Sequence, residues 1–130
     1  MIGIDVEAAC RECGFDLVRA SGRCCGDSTR HFKFLKENLR VNSFDTGFPV
    51  DFGKLRQELG PDIQIFGGPT VMLLKNGTPE GIRAEVKRIC NSGIMKGGRF
   101  VLREGNNLAP CTPVENVEAM YEAGKSFGVY

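Results

Sequence analysis

Polar side chains with chemical uses gather where apolar runs of the chain break into loops: Arg23 and Cys25 in SGRCCGD, Asp45 in NSFDTG, Gly67 and Gly68 in IFGGP, and Arg103, Glu104, Asn106 and Asn107 in VLREGNN. Arg23 suits a bidentate grip on a carboxylate or phosphate, or a plain surface salt bridge. Cys25 stands just before an expected helix start, where backbone donors favour a thiolate; the alternative is a buried, inert thiol. Asp45 can position an amine, orient a water or receive a proton, or instead close an Asx turn before Gly47. Gly67 and Gly68 remove side chains and so admit a ligand close to the backbone, or simply make a turn. Asn106 and Asn107 offer donors and acceptors without charge, which suits amides, carboxylates or a corrin or pyrrole periphery, and equally suits holding one loop to the next. Arg103 and Glu104 complete the richest polar set in the chain.

The remaining metal-ligating types are less well placed. His31 is the sole histidine and falls one turn inside an expected helix, so it has no partner for a metal. Cys10 and Cys13 form a C-x-x-C within EAACREC, a helical turn ending at Gly14 rather than a pair of metal-binding knuckles. Cys90 shares a helical face with Ile82, Val86 and Ile89, which marks it as core.

The elements that must position these groups follow from periodicity and punctuation. Residues 4–13 read as a short helix, Phe15 to Ala20 as a strand, and the segment capped by Asp27 or Ser28 as a helix to Leu39 with Phe32, Leu35 and Leu39 on its apolar stripe. Val41 to Phe44 is a second strand, followed by a helix from Asp51 to Leu59 that Gly60-Pro61 stops. Ile63 to Phe66 is the third strand; Val71 to Leu74 form a helical turn, and Thr78-Pro79-Glu80 starts a helix reaching Cys90 or Ser92. Phe100 to Leu102 is the fourth strand. The last helix follows, with Thr112 as its cap, Pro113 in its first position, Glu115 returning the capping bond, and Val117, Met120, Tyr121 and Gly124 facing inward.

A short helix followed by four strand–helix units predicts an α/β protein with parallel strands, since crossovers of this length connect strands running the same way. All four strand C-termini then share one edge, which brings the polar loops together. Such a sheet is either a small open one or half of an eight-stranded barrel. In sequence order its outer strands would be Phe15–Val18 and Phe100–Leu102, both apolar and both a pairing liability if left open. The chain reads as unfinished.

Composition narrows the classes. At 130 residues the chain has material for one domain. Its 17 basic and 16 acidic side chains, without a basic block or aromatic stripe, give no footprint for nucleic acid. No long apolar run or export signal is present, so no membrane span is expected, cytoplasm is the expected location, and the six cysteines are expected to be reduced thiols.

RCCGDS at 23–28, NSFDTG at 42–47, IQIFGGP at 63–69, LLKNGTPEGIRAEVKRI at 73–89 and the final segment through TPVENVEAMYEA resemble the C-terminal half of the uroporphyrinogen decarboxylase superfamily, which includes corrinoid-dependent methyltransferases. The resemblance covers nearly the whole chain but only about half of the usual family length. It implies a (β/α)₈ barrel of which this chain supplies strands five to eight, as a single partial-barrel domain over residues 1–130. Thiol methyltransferases of the superfamily bind zinc through an H-x-C-G motif and a later cysteine. Here Cys25-Gly26 keeps the middle of that motif, whereas Arg23 and Asn106 stand in the other ligand positions, so no zinc site is implied. The decarboxylases need no cofactor, and their strand-eight histidine also corresponds to Asn106. The resemblance thus implies porphyrinogen decarboxylation by a completed barrel; on the reading of the strand-end loops, Asp45 and Asn106 take the catalytic positions and Arg23, Gly67, Gly68, Arg103 and Asn107 hold substrate. The alternatives are a component of corrinoid-dependent methyl transfer, with the corrinoid carried by a partner protein, and a truncated domain that only binds or associates. The expected partner is a second copy or a separate N-terminal barrel half.

Overall fold

The computed structural model describes residues 29–46, 50–105 and 107–130, together with the backbone of residues 21–24. The expected helix at 4–13 and strand at 15–20 lie outside these residues. Four parallel strands, β1 (Ser21–Cys24), β2 (Ser43–Thr46), β3 (Gln64–Gly67) and β4 (Phe100–Leu102), form one sheet in the order β1-β2-β3-β4. The residues around Arg23, read from sequence as a loop, are therefore a strand: their backbone pairs with β2, Arg23 standing opposite Asp45 and Cys24 opposite Thr46. Gly22 and the polar Ser21 give a weak local strand signal, and pairing with a neighbour overrides it. The other strands begin and end within two residues of expectation.

Helices fill the crossovers. They are α1 (Thr29–Leu39), α2 (Phe52–Leu59), α3 (Val71–Asn76), α4 (Pro79–Ile89) and α5 (Val114–Phe127). Asp51 caps α2 by accepting from the Lys54 N–H at 3.0 Å, and Thr70 and Thr78 cap α3 and α4 through their hydroxyls. Pro79 takes the first position of α4, where its missing N–H costs nothing. Thr78→Ala should therefore cost about 1 kcal/mol, read as a lower urea midpoint with unchanged slope. A shift below about 0.3 kcal/mol would show that water replaces the cap without loss.

Three expectations about the helices are corrected. Thr112 does not cap α5: its hydroxyl donates to the Ala109 carbonyl at 2.8 Å, and the helix starts after Pro113 with no side-chain cap. The inner face of α5 is Asn116, Ala119, Met120 and Ala123, whereas Tyr121 is 52% exposed. The stripe is turned by about one residue because the small Ala119 and Ala123 let α4 approach closely, and the larger side chain is left outside. Leu39, expected on the buried stripe of α1, is likewise exposed at the helix end.

Unbroken sequential order has a consequence for layering. Right-handed crossovers between parallel strands added always on the same side place every helix on one face of the sheet. Phe44, Ile65 and Phe100 point to that face and pack with Phe32, Phe52, Leu55, Leu59, Ile89 and Ile94. A second cluster of Leu74, Ile82, Val86, Cys90, Ala119, Met120 and Ala123 joins α3, α4 and α5, and Leu102 and Met95 link it to the first. The alternate strand residues Asp45, Gln64, Phe66 and Val101 belong to neither cluster and stay partly exposed. The sheet therefore has one covered face and one face that no described element covers, as in a segment of a barrel wall.

The two ends of the sheet are fastened by different chemistry. Below β3 and β4, the buried Arg56 of α2 donates to the carbonyls of Ile94 at 3.0 Å, Gly60 at 2.9 Å, Ile63 at 2.6 Å and Arg99 at 3.0 Å. Burial pulls its pKa below the ordinary arginine value, with a smaller opposing effect from Tyr130. α4 runs on into a wide turn, Cys90–Ile94, which Gly93 reverses at φ 93°. That turn delivers the Ile94 carbonyl to Arg56.

Candidate functional site

The opposite, C-terminal end of the sheet carries the polar groups. Beyond β3 and β4 the chains stay zipped, the Arg103 N–H donating to Gly67 O and the Gly105 N–H to Pro69 O, both at 2.9 Å. This rigid pair of segments aims Arg103 back across β3. Its Nη1 meets Asp45 Oδ2 of β2 at 3.1 Å, and its Nη2 meets Glu104 Oε1 at 3.0 Å. The three side chains are partly shielded, at 27% exposure for Arg103, 16% for Asp45 and 20% for Glu104. A guanidinium held by two carboxylates keeps a fixed orientation, and its planar fork is suited to receive a further anionic group in exchange for one of them.

Asp45 and Arg103, chosen separately from sequence, are thus brought into contact across an intervening strand. Arg23 occupies the register position beside Asp45 on β1. Among the described side chains, β2 and the segment after β4 contribute to one mouth. Cys25 and Asn106 lie outside the described residues. Asn107 is exposed on the loop that follows β4.

Gly67 and Gly68 serve the chain's own packing. A Cβ at Gly67 would collide with the Thr46 hydroxyl and the Phe52 ring, and one at Gly68 would collide with the Arg103 carbonyl oxygen. Their lack of side chains is what allows Thr46 to donate to Phe66 O at 2.7 Å and the β4 loop to lie against β3. Any ligand role for these two positions runs through the backbone they leave accessible.

Sequence inspection placed Glu104 in the polar set without seeing it as the second anchor of Arg103. Consecutive residues of an extended strand point apart, so a contact between the neighbouring side chains 103 and 104 is not read from their positions in the sequence. Asn116, part of the TPVEN helix start, is buried and donates from Nδ2 to the carbonyls of Leu74 at 2.8 Å and Gly77 at 3.0 Å. It satisfies the end of α3 and docks α5 on it, a structural role.

Two further features lie away from this mouth. A groove of about 430 Å³ runs between Thr29, Arg30, Asp51, Lys54 and Glu58 on the helical side. Its lining also includes Val50, Leu55 and the Lys54–Glu58 ion pair, and it does not include Arg103. Cys90 is buried as expected, and burial pushes its thiol pKa up, which keeps it protonated and unreactive. Among the described residues, no three histidine, cysteine, aspartate or glutamate side chains gather closely enough to hold a metal ion. No helix among them is long and apolar enough to cross a membrane.

Comparison with known proteins places this geometry. The family model described as uroporphyrinogen decarboxylase (URO-D) matches residues 17–127. A uroporphyrinogen decarboxylase of Synechococcus sp. (strain CC9605) is 33% identical over 89 residues, covering 68% of this chain and 24% of that protein. A second, from Prochlorococcus marinus (strain MIT 9211), is 42% identical over 50 residues, covering 38% of this chain and 14% of that protein. Among solved structures, a methyltransferase from Methanosarcina mazei superposes with a TM-score of 0.70 at 23% identity, over 85% of this chain and 32% of the methyltransferase. The chain matches at most about a third of the length of any of these three proteins.

Proposed function

Because the chain belongs to the uroporphyrinogen decarboxylase (URO-D) family, we propose that it forms the C-terminal half of a (β/α)₈ barrel that decarboxylates a porphyrinogen-type tetrapyrrole once a second half completes it. The observation that supports this reading most directly is Arg103, fixed by Asp45 and Glu104 at the C-terminal end of a parallel sheet whose other face no described element covers. In barrels that end carries the chemistry and the opposite end carries stability, which agrees with the placement of Arg103 above and Arg56 below.

The chemistry asks for two things that these residues supply in part. Losing carbon dioxide from an acetate side chain on a pyrrole begins with a proton added to a ring carbon. The carbon–carboxylate bond then breaks, its electron pair moves into the ring, the exocyclic methylene takes a proton to become methyl, and the ring carbon returns its own. Net, one proton is consumed per carboxylate. Arg103 and Arg23 bind the substrate carboxylates. Asp45 accepts from the pyrrole N–H groups and stabilises the positive charge that develops on the protonated ring. Asn106 and Asn107 orient the ring periphery, with the backbone at Gly67 and Gly68 forming its floor. An amide carries no proton at neutral pH, so Asn106 is not the proton donor, which the completed barrel supplies from another residue.

The test is reconstitution. The chain is assayed alone at high concentration and together with an N-terminal barrel half, following carbon dioxide release from a porphyrinogen bearing acetate side chains and methyl transfer to a corrinoid in parallel. Carbon dioxide released only by the completed assembly is the expected result. Methyl transfer without decarboxylation would replace this reading with the corrinoid-dependent one, and no turnover in any combination would leave a domain that only associates.

A further inference from the structure

The open edge of β4 is not bare. In a parallel pair, alternate residues direct both backbone groups toward the same neighbour. The Ile65 N–H donates to Arg99 O and the Arg103 N–H to Gly67 O, so residues 99, 101 and 103 face β3, while Phe100 and Leu102 present their backbone groups to the outer edge. The outward carbonyl of Phe100 is occupied: the Tyr130 hydroxyl donates to it at 2.7 Å. The Tyr130 ring rests beside Gly98 and helps line a mainly apolar groove of about 260 Å³ between β4 and α5, with Met95, Leu102, Tyr121 and Gly124.

From these contacts we infer that Tyr130 is a displaceable guard on the β4 edge, which a strand added beside β4 must push aside. The added strand is β1 of a second copy. Among the described residues β1 is the other edge of the same sheet and runs in the same direction, so two copies related by a two-fold axis place β1 beside β4 twice and pair both of these edges. The guard is suited to its task by being weak. Tyr130 is 69% exposed and holds the edge through one neutral hydrogen bond. It therefore blocks casual edge pairing yet yields to a matched strand, whose own N–H takes over the Phe100 carbonyl. This inference rests on the assembly proposed above and adds how that assembly is restrained.

The experiment compares wild type, Tyr130→Phe and Tyr130→Ala by analytical ultracentrifugation over a concentration series, with circular dichroism to confirm equal folding. Tyr130→Phe keeps the ring against Gly98 and removes only the hydroxyl. Because two guards leave per dimer, it should lower the association midpoint by on the order of tenfold, and Tyr130→Ala by more. Association of the variants alone, with wild type monomeric, also supports the guard. An associating wild type with an unshifted or weakened Tyr130→Phe overturns the guard and leaves the assembly standing. Monomers throughout, in all three proteins, overturn the guard and self-association together and leave completion by an N-terminal half to the reconstitution assay.

Discussion

Arg56→Met is expected to lower the unfolding free energy by about 3–5 kcal/mol, the largest stability loss of any single change above. The wild-type guanidinium serves four main-chain carbonyls that come from the turn after α4, the end of α2 and the approaches to β3 and β4. A hydrogen bond with a charged donor contributes about 1.5–3 kcal/mol, and an abandoned buried acceptor adds its own desolvation cost. Methionine also relieves the burial of a charge, so the net is smaller than the sum of four bonds. Arg56→Lys should recover only part of the loss, because an ammonium cannot span a set of acceptors arranged for a planar fork. Urea denaturation with matched slopes reads the difference. A loss under about 1 kcal/mol for Arg56→Met would mean that the base of the sheet is held by the apolar core alone.

Arg103→Met should reduce kcat/KM for decarboxylation in the completed assembly by about 100-fold while leaving the urea midpoint nearly unchanged. The loss should fall mainly on KM, since the proposed role of the guanidinium is to bind a substrate carboxylate rather than to move a proton. Two carboxylates already compete for that guanidinium, so substrate binding is an exchange of one anionic partner for another. In the methionine variant the Asp45 and Glu104 carboxylates remain without the guanidinium between them and the substrate, which adds repulsion toward an anionic substrate. Arg103→Lys keeps the charge without the fork and should fall between the two. If the methionine variant stays within about threefold of wild type, Arg103 is a structural strut and the substrate carboxylates are held elsewhere.

Local features of the chain were legible where the physics is local. Asp51 and Thr78 cap helices through a carboxylate or hydroxyl acting within three residues. The apolar runs around Phe44, Ile65 and Phe100 are strands at nearly the expected places. Arg23 was misplaced onto a loop because β1 is sustained by its partner strand and not by its own residues. Thr112 was misread as a cap because the turn in which Cys111 adopts φ 61° directs its hydroxyl to the Ala109 carbonyl, and α5 is left without a side-chain cap. For the candidate site, the sequence nominated Asp45 and Arg103 from their positions at strand ends, but 58 residues separate them, and no pattern along the chain says that they touch.

The order of apolar runs, crossover lengths and turn residues by itself determined that this is an α/β protein of parallel strands with its polar loops at one end, since helix and strand periodicity and right-handed crossovers act through neighbouring residues. Only the tertiary structure decided that Arg103 reaches over β3 to Asp45 and Glu104, that Arg56 gathers four carbonyls at the opposite end, and that Tyr130 sits on the β4 edge. Each of these is a hydrogen bond in which donor and acceptor become close only after the sheet has formed. Their energy depends on that geometry and on burial, neither of which is written in the spacing of residues along the chain.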